Sequence, residues 1–373
     1  MILFLIWMTN YILVKCNNQF EYEYYPSLNF TRISGAYSVT LSPRKMFNID
    51  LAFQYNWAST NYYHLTTSQN AKIISNDTTL ILEQQIQNPL LVADIFTYEN
   101  ITINPLYFFL FKGTFDNYDS LSFSYKHYTN HSVVNTLYEN NVIRRRAFGI
   151  RATTERDGVL YLGGFPQSVI NEFKYKHSCN VITTQHTWGC ALTKVKVGNK
   201  MFDNVEPSYF QTNDKRILVP KRFMAFMKEN YFNAYIQNKT CVFRSILKYN
   251  FYECVYNQTQ YFPIISFYFD DVEIPINNEH LYRVVNLSNG NIIKQYFIEE
   301  NYENENQWIF ALAFIKSNPM LFDYDNSTIT FYYNTTTIST NDVYTSIQFI
   351  IVIHIVWLCL GLLHLILHKF SIK

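Results

Sequence analysis

Apolar and polar positions along this chain alternate on the short period of β-structure, with few stretches on the longer helical period. Strand-like runs recur at Ala36–Leu41, Met46–Phe53, Thr79–Gln84, Tyr107–Phe111, Gly158–Leu162, Thr193–Val197, Ile264–Phe269 and Thr328–Tyr333. Turn-forming pairs separate them: Ser42-Pro43, Gly163-Gly164, Gly198-Asn199 and Asn289-Gly290. One stretch, Pro220–Tyr235, reads as a helix. Pro220 suits a helix start, and Phe223, Phe226, Met227 and Tyr231 recur at helical spacing. The pattern predicts a mainly β chain with occasional short helices. No low-complexity linker divides it, so two lobes with a contiguous interface are expected.

The two ends follow a different rule. Ile2–Val14 is an apolar run too short to span a bilayer, and Val14 and Cys16 fit the −3 and −1 positions of a signal-peptidase site before Asn17. Ile347–Leu367 is almost wholly apolar. Its length, ~21 residues at about 1.5 Å each, covers the roughly 30 Å hydrocarbon core of a membrane. His368, Lys369 and Lys373 follow it, which favours a cytosolic end and argues against a lipid-anchor signal. The expected plan is a signal peptide at 1–16, an N-terminal β lobe at 17–165, a C-terminal β lobe at 166–340, a transmembrane helix at 347–367 and a cytosolic tail at 368–373. That makes a single-pass type I membrane protein of the cell surface or endomembrane system, its ectodomain lumenal or extracellular.

With 373 residues, 48% of them hydrophobic, the chain can bury the core of a large bilobal unit. A net charge of +1 supplies no bulk field to attract nucleic acid, so none is expected as a partner. Glycosylation sequons occur at Asn29, Asn76, Asn100, Asn130, Asn238, Asn257, Asn286, Asn326 and Asn334, all outside the expected tail. Four cysteines remain between the two ends: Cys179, Cys190, Cys241 and Cys254. They allow three pairings, of which the local one closes two short loops. Their spacing lacks the matching histidine pair of a zinc site, so neither a metal nor a cofactor is expected.

Several segments, taken in order, resemble the pepsin-like aspartic proteases. Trp308-Ile309-Phe310-Ala311-Leu312-Ala313-Phe314-Ile315-Lys316 resembles that family's Trp-Ile-Leu-Gly-Asp-x-Phe-x-Arg segment. Leu321-Phe322-Asp323, Asp325-Asn326 and the run Thr328–Tyr333 follow at the family's spacing. Phe148-Gly149-Ile150 is similar to the family's Asp-Gly-Ile-Leu-Gly segment, and Gly158–Gly164 to the strand and Gly-Gly turn that close the N-terminal lobe. Trp188 with Leu192–Gly198 is similar to the strand that opens the C-terminal lobe. Cys241 and Cys254, followed by Phe262–Phe267, are similar to the disulfide and Leu-Pro-x-Ile-x-Phe strand of that lobe. The resemblance implies a bilobal acid-protease fold with an interlobe cleft.

It also implies a chemistry, and the residues that should carry it have changed. In this family one Asp-Thr-Gly loop from each lobe supplies a carboxylate, and the pair shares a proton across a water. Counting back from Pro220 puts Gln211 at the second aspartate position, with Thr212, Asn213 and Asp214 after it. A carboxamide binds water but cannot take its proton near neutral pH. The first position has two registers. Pro43 and Phe47 upstream favour Ala52, whereas counting back from Trp57 gives Asp50, followed by Leu51-Ala52 in place of Thr-Gly. The flap position falls at Leu82, Glu83 and Gln84, with neither Tyr nor Gly.

No replacement chemistry stands out. Ser168, His177 and His186 lack a nucleophile-elbow motif. Arg144-Arg145-Arg146 reads as a solvated loop or as a cleavage site for a basic-specific protease, and the Tyr22, Tyr24, Tyr25 segment as a plain N-terminal strand. The expected function is a membrane-tethered, glycosylated, non-catalytic pseudoprotease that binds a peptide or protein. The alternatives are an active or weakly active membrane-anchored aspartic endopeptidase, and a structural or adhesive cell-surface glycoprotein.

Overall fold

The computed structural model describes residues 19–334 apart from the connections 26–29, 38–44, 52–55, 60–69, 76–79, 83–84, 88, 99–100, 112–118, 127–131, 153–156, 184–185, 213–215, 247–248, 257–262, 288–289 and 303. The expected signal peptide at 1–16, membrane helix at 347–367 and tail at 368–373 lie outside the described residues. So do Ala52, Glu83, Gln84, Asp214 and the sequons Asn29, Asn76, Asn100, Asn130 and Asn257. Among the described residues no helix is long and apolar enough to cross a membrane. The chain divides into two units, Met1–Asn334 and Thr335–Lys373, and the described strands belong to the first.

The fold is mainly β. The first half contributes β1 (Gln19–Tyr25), β2 (Phe30–Tyr37), β3 (Lys45–Asp50), β4 (Trp57–Ser59), β5 (Lys72–Ser75), β6 (Leu80–Leu82), β7 (Gln85–Gln87), β8 (Leu90–Tyr98), β9 (Ile101–Phe111), β10 (Asp119–Ser122), β11 (Ala147–Ala152) and β12 (Asp157–Leu162). The second half contributes β13 (Tyr175–Asn180), β14 (Gly189–Val197), β15 (Lys200–Asp203), β16 (Pro207–Phe210), β17 (Ile217–Val219), β18 (Cys241–Ile246), β19 (Tyr249–Val255) and β20 (Ile265–Phe269). It continues with β21 (Val272–Ile276), β22 (Tyr282–Asn286), β23 (Ile292–Tyr296), β24 (Ile298–Glu300), β25 (Trp308–Phe310), β26 (Met320–Asp323) and β27 (Thr328–Tyr333).

The largest sheet runs β13-β27-β26-β11-β12-β1-β2-β3-β10-β4-β9-β8-β5. It therefore carries strands from both sides of the expected lobe boundary at 165. Where it is covered on both faces its sequence is a continuous apolar run, as in Met320-Leu321-Phe322 of β26 and Phe331-Tyr332-Tyr333 of β27, all buried. A second sheet, β21-β20-β14-β16-β25-β17-β24, forms the body of the second half, with β15 paired to β14. A smaller sheet, β18-β19-β23-β22, lies beside it in sequence, and β6 and β7 form a separate hairpin.

The helix expected at 220–235 is present in three pieces: α-helix at Lys221–Met227, a π-turn at Lys228–Phe232 and α-helix at Asn233–Gln237. Pro220 stands immediately before it, and Phe223, Met224, Met227 and Phe232 form its buried face. Within the widened turn Asn230 Nδ2 donates to the Phe226 carbonyl at 2.8 Å. Two disulfides, Cys179–Cys190 and Cys241–Cys254, realise the local pairing. The first ties β13 to β14, and the second joins register partners on β18 and β19. Each closes a loop of modest length and stabilises the fold by about 3 kcal/mol through the unfolded chain.

The halves meet around one indole. Trp188 is fully buried, and rings of Tyr125, Phe148, Phe322 and Tyr324 surround it, with Phe148 and Phe322 stacked at 4.8 Å. Its Nε1–H donates to the Phe123 carbonyl at 2.7 Å. Nearby, the Tyr324 hydroxyl donates to the Ser124 carbonyl at 3.0 Å, and burial pushes that phenol well above its usual pKa. The Tyr125 hydroxyl reaches Ser327 Oγ at 2.9 Å. The run Arg144-Arg145-Arg146 belongs to the same seam: Arg145 pairs with buried Asp323, and Arg146 pairs with Asp325 at 2.7 Å. Two of its three side chains thus hold the second half, a structural use that a cleavage site would have to give up.

The packing at Gly189, next to Trp188, leaves no room for a side chain. A Cβ there would lie 2.6 Å from the Ser208 carbonyl oxygen and 2.7 Å from the Tyr209 ring. Gly189→Ala is expected to destabilise the chain by about 1–3 kcal/mol, read as a lower urea midpoint. A second prediction concerns acid. His280 Nδ1 lies 2.7 Å from Ser317 Oγ, which also accepts the Asn277 N–H. Burial, with Lys316 nearby, depresses the His280 pKa from 6.5 to about 4. The unfolded chain therefore takes up this proton first as pH falls, and the stability contributed by neutral His280 is complete above 6.5 and lost by about 4. Between those limits His280→Gln is expected to lose less stability than the parent chain in thermal melts.

Candidate functional site

Two loops have the same strand framework. In the first half β3 and β4 flank residues 51–56, and β10 lies between them, parallel to β3 and antiparallel to β4. In the second half β16 and β17 flank residues 211–216, and β25 lies between them, parallel to β16 and antiparallel to β17. Outside each trio a further strand runs parallel to the second arm, β9 beside β4 and β24 beside β17.

The registers superimpose in one way. Ser120 of β10 pairs with Asn48 and Trp57, nine residues apart. Ile309 of β25 pairs with Tyr209 and Leu218, also nine residues apart. Asn48 therefore corresponds to Tyr209 and Trp57 to Leu218. Two residues on from the first pair, Asp50 corresponds to Gln211, and Leu51 to Thr212. Leu51 and Thr212 are both fully buried, as this correspondence requires. Ala52 and its counterpart Asn213 lie outside the described residues.

Buried polar groups hold both loops at their bases. Asn56, 1% exposed, accepts the Ser122 N–H on Oδ1 at 2.7 Å and donates from Nδ2 to the Tyr107 carbonyl at 2.8 Å. Its own carbonyl accepts the Phe109 N–H at 2.9 Å, so one side chain and its peptide tie the end of the loop to β9 and β10. In the second half the Gln211 N–H donates to the Phe310 carbonyl at 2.9 Å, and the Gln211 side chain is partly exposed. The preceding residue, Phe210, donates its N–H to the Trp188 carbonyl at 2.9 Å. Trp188 thus touches both trios: its indole holds Phe123, next after β10, and its carbonyl holds Phe210, next before Gln211.

A charged pair lies at the other end of the second loop. Arg216 Nη1 contacts Glu299 Oε2 at 2.7 Å, with the side chains only 15% and 8% exposed. Arg216 stands just before β17, and Glu299 is supplied by the neighbouring β24. Farther down, Trp308 Nε1–H donates to Asn204 Oδ1, Asn204 Nδ2 donates to the Leu192 and Glu206 carbonyls, and Glu206 pairs with Arg222. These contacts fix β25 and the helix at 221–227 relative to β14.

The remaining sequence-derived positions are placed as follows. Leu82 ends β6 and pairs in register with Gln85 of β7, so a hairpin stands where the flap was expected. Ser168 is exposed, His177 Nε2 lies 3.8 Å from Asp270 Oδ2, and the His186 carbonyl accepts the Lys126 N–H. No hydrogen bond joins Ser168, His177 and His186. Phe148-Gly149-Ile150 sits in β11, between β12 and β26, and the counterpart of β25 in the first half is β10. Of the sequons, Asn238, Asn286, Asn326 and Asn334 are described, and all four are exposed. Among the described residues no cluster of His, Cys, Asp or Glu has the makings of a metal site.

Residues 115–333 match the family model for eukaryotic aspartyl protease, more than half of the chain. The chain belongs to the eukaryotic aspartyl protease family. The matched span begins just before β10 and ends with β27, so it includes the second loop and leaves β3, β4 and Asp50 outside. No curated protein matches the chain.

Sequence reading missed Asn56, the double role of Trp188 and the Arg216–Glu299 pair. An asparagine beside Trp57 and an arginine abutting the apolar run Ile217-Leu218-Val219 were the available signals. The last pair gives a test within this aspartyl protease fold. Arg216→Ala leaves Glu299 buried without that partner and is expected to cost about 3–5 kcal/mol, whereas Arg216→Met with Glu299→Leu is expected to recover most of the loss. Urea denaturation of the single and double variants checks this.

Proposed function

We propose that this member of the aspartyl protease family is a non-catalytic pseudoprotease, tethered to a membrane and glycosylated, that binds an extended peptide or protein segment. One observation carries the proposal: Gln211 stands on the second loop, directly after β16, with its N–H bonded to Phe310. Peptide hydrolysis by this family's route needs a base for water and an acid for the carbonyl, each typically contributing about 10² to 10⁴ in rate. A carboxamide at either position supplies neither. A mainly β fold with two equivalent loops supports a groove that takes an extended peptide, and such a groove does not depend on acids for its shape.

The cellular setting is part of the same proposal. Two disulfides and four exposed sequons support an oxidising, secretory location. The apolar segment 347–367 supports a membrane anchor with the lobes on the lumenal or extracellular side. The competing reading, an active membrane-anchored aspartic endopeptidase, draws support from Asp50, which corresponds in register to Gln211. It needs a second carboxylate to stand in for the amide.

The test is direct. The full-length protein, purified in detergent, is incubated with fluorogenic extended peptides from pH 3 to 7. No cleavage inhibited by pepstatin is expected at any pH. Pepstatin-sensitive cleavage that is lost in Asp50→Asn would establish the endopeptidase instead.

A further inference from the structure

The four-stranded sheet β18-β19-β23-β22 has one polar face and one apolar face, and the apolar face runs out into solvent. We propose that an N-linked glycan on Asn286 lies over the outer part of that face and covers its exposed apolar strip, Val284, Ile292 and Tyr256. The inference rests on the glycosylated reading above and names what one of the sugars does.

Strand register sorts the side chains, because residues opposite each other on a ladder share a face, and so do alternate residues along a strand. Glu253, Gln295 and Arg283 are aligned across β19, β23 and β22. They form a polar row: Arg283 Nε donates to Gln295 Oε1, Gln295 Nε2 donates to Glu253 Oε1 at 3.4 Å, and Arg244 pairs with Glu253 at 2.9 Å. A row of this kind suits contact with water. On the other face Tyr282 pairs in register with Tyr296, Val284 with Lys294 and Asn286 with Ile292. Its inner end belongs to the core, where Tyr296 is fully buried against Phe232. In the middle Lys294 Nζ lies 4.7 Å from the Tyr282 ring centroid and 5.1 Å from that of Tyr256. At the outer end the cover stops: Val284 is 51% exposed, Ile292 43% and Tyr256 38%.

Asn286 stands at that outer end. It is exposed, ends β22 on the apolar face, and begins the sequon Asn286-Leu287-Ser288. Side chains opposite each other on a ladder leave the backbone about 4.5–5.5 Å apart, so the first sugar on Asn286 starts beside Ile292. Val284 precedes it on the same face of the strand. A pyranose ring offers an apolar C–H face, which suits the Tyr256 ring and the two aliphatic side chains, while its hydroxyls stay in water. The linkage forms when Asn286 Nδ2 displaces the diphosphate from the anomeric carbon of a lipid-linked oligosaccharide. The N–C bond forms as the C–O bond breaks, the diphosphate leaves with the electron pair, and the amide gives up one of its two protons. The settings of Asn326 and Asn334 differ, because their Nδ2 atoms donate to Asp323 at 2.7 Å and to the Glu172 carbonyl at 3.1 Å, outside this sheet. Since β22 is also the edge of its sheet, a bulky sugar at its end discourages pairing with another chain as well.

Occupancy and cover are read separately on the full chain, expressed in eukaryotic cells and purified in detergent. Peptide mapping by mass spectrometry is expected to find a glycan on Asn286. Hydroxyl-radical footprinting then compares the parent chain with Ser288→Ala, which removes the sequon and leaves Asn286 in place. Labelling of Tyr256 and Ile292 is expected to rise roughly threefold or more, while that of Tyr138, itself 43% exposed, stays the same. If Ser288→Ala does not fold, amidase removal of the sugar from folded Asn257→Gln, which lacks the neighbouring sequon, gives the same comparison. A bare Asn286 beside other occupied sequons, or a glycosylated Asn286 with unchanged labelling of Tyr256, would overturn the inference and leave the glycosylated reading standing. No sugar at any sequon would overturn both. A bare Asn286 in a chain that dimerises, with Tyr256 and Ile292 protected only in the dimer, would assign the strip to a second copy instead.

Discussion

The buried indole of Trp188 is the contact on which the rest of this structure turns. It sits where strands from both halves of the chain converge, and each of its polar ends is committed to a different half. The Nε1–H is bonded to Phe123 and the carbonyl to Phe210. A buried indole N–H without an acceptor costs about 1–3 kcal/mol, so this geometry is strongly preferred over one that slides the halves apart. The rings of Phe148, Phe322, Tyr125 and Tyr324 then fill the volume around it, and the Cys179–Cys190 bridge closes the strands on either side. Gly189 follows because no larger residue fits beside the next strand.

Two loops with equivalent strand frames are what a two-acid hydrolase requires, and this chain has them. The second loop ends in Arg216, which forms a buried pair with Glu299. Its first position is an amide. In the first loop Leu51 is fully buried where Thr212 is buried in the second. The strands and the aromatic seam around Trp188 position both loops.

Much of this was legible in the sequence. The mainly β character followed from apolar periodicity, and the local disulfide pairing was one of three that the cysteine spacing allowed. The helix starting after Pro220 was found at nearly its full extent, although its π-turn was not. Family membership followed from segments such as Trp308–Lys316 and Gly158–Gly164, whose apolar and glycine residues are fixed by packing. Sequence spacing failed where pairing, and not order along the chain, decides position. Phe148–Ile150 has the apolar look of a central strand and is one, but it lies between β12 and β26 and not between the arms of a loop. The short β10, rich in serine, gave little hydrophobic signal and yet lies between the arms of the first loop. The choice between Asp50 and Ala52 was open for the same reason: counts from upstream and downstream anchors differ by two, and only the strand register relates either residue to Gln211. Interactions such as Arg216 with Glu299, far apart in sequence, are invisible until the chain is folded.

The central claim is that no water is activated at the junction of the two halves. Oxygen exchange tests this more sensitively than turnover, because a hydrolytic pair that can reverse its reaction places solvent oxygen in the carboxylate of a product peptide even when net cleavage is too slow to detect. The full-length protein, held with short peptides in ¹⁸O-water from pH 3 to 7, is predicted to incorporate no label above the rate in buffer. Pepstatin-sensitive incorporation of ¹⁸O into the peptide C-terminal carboxylate would contradict the account.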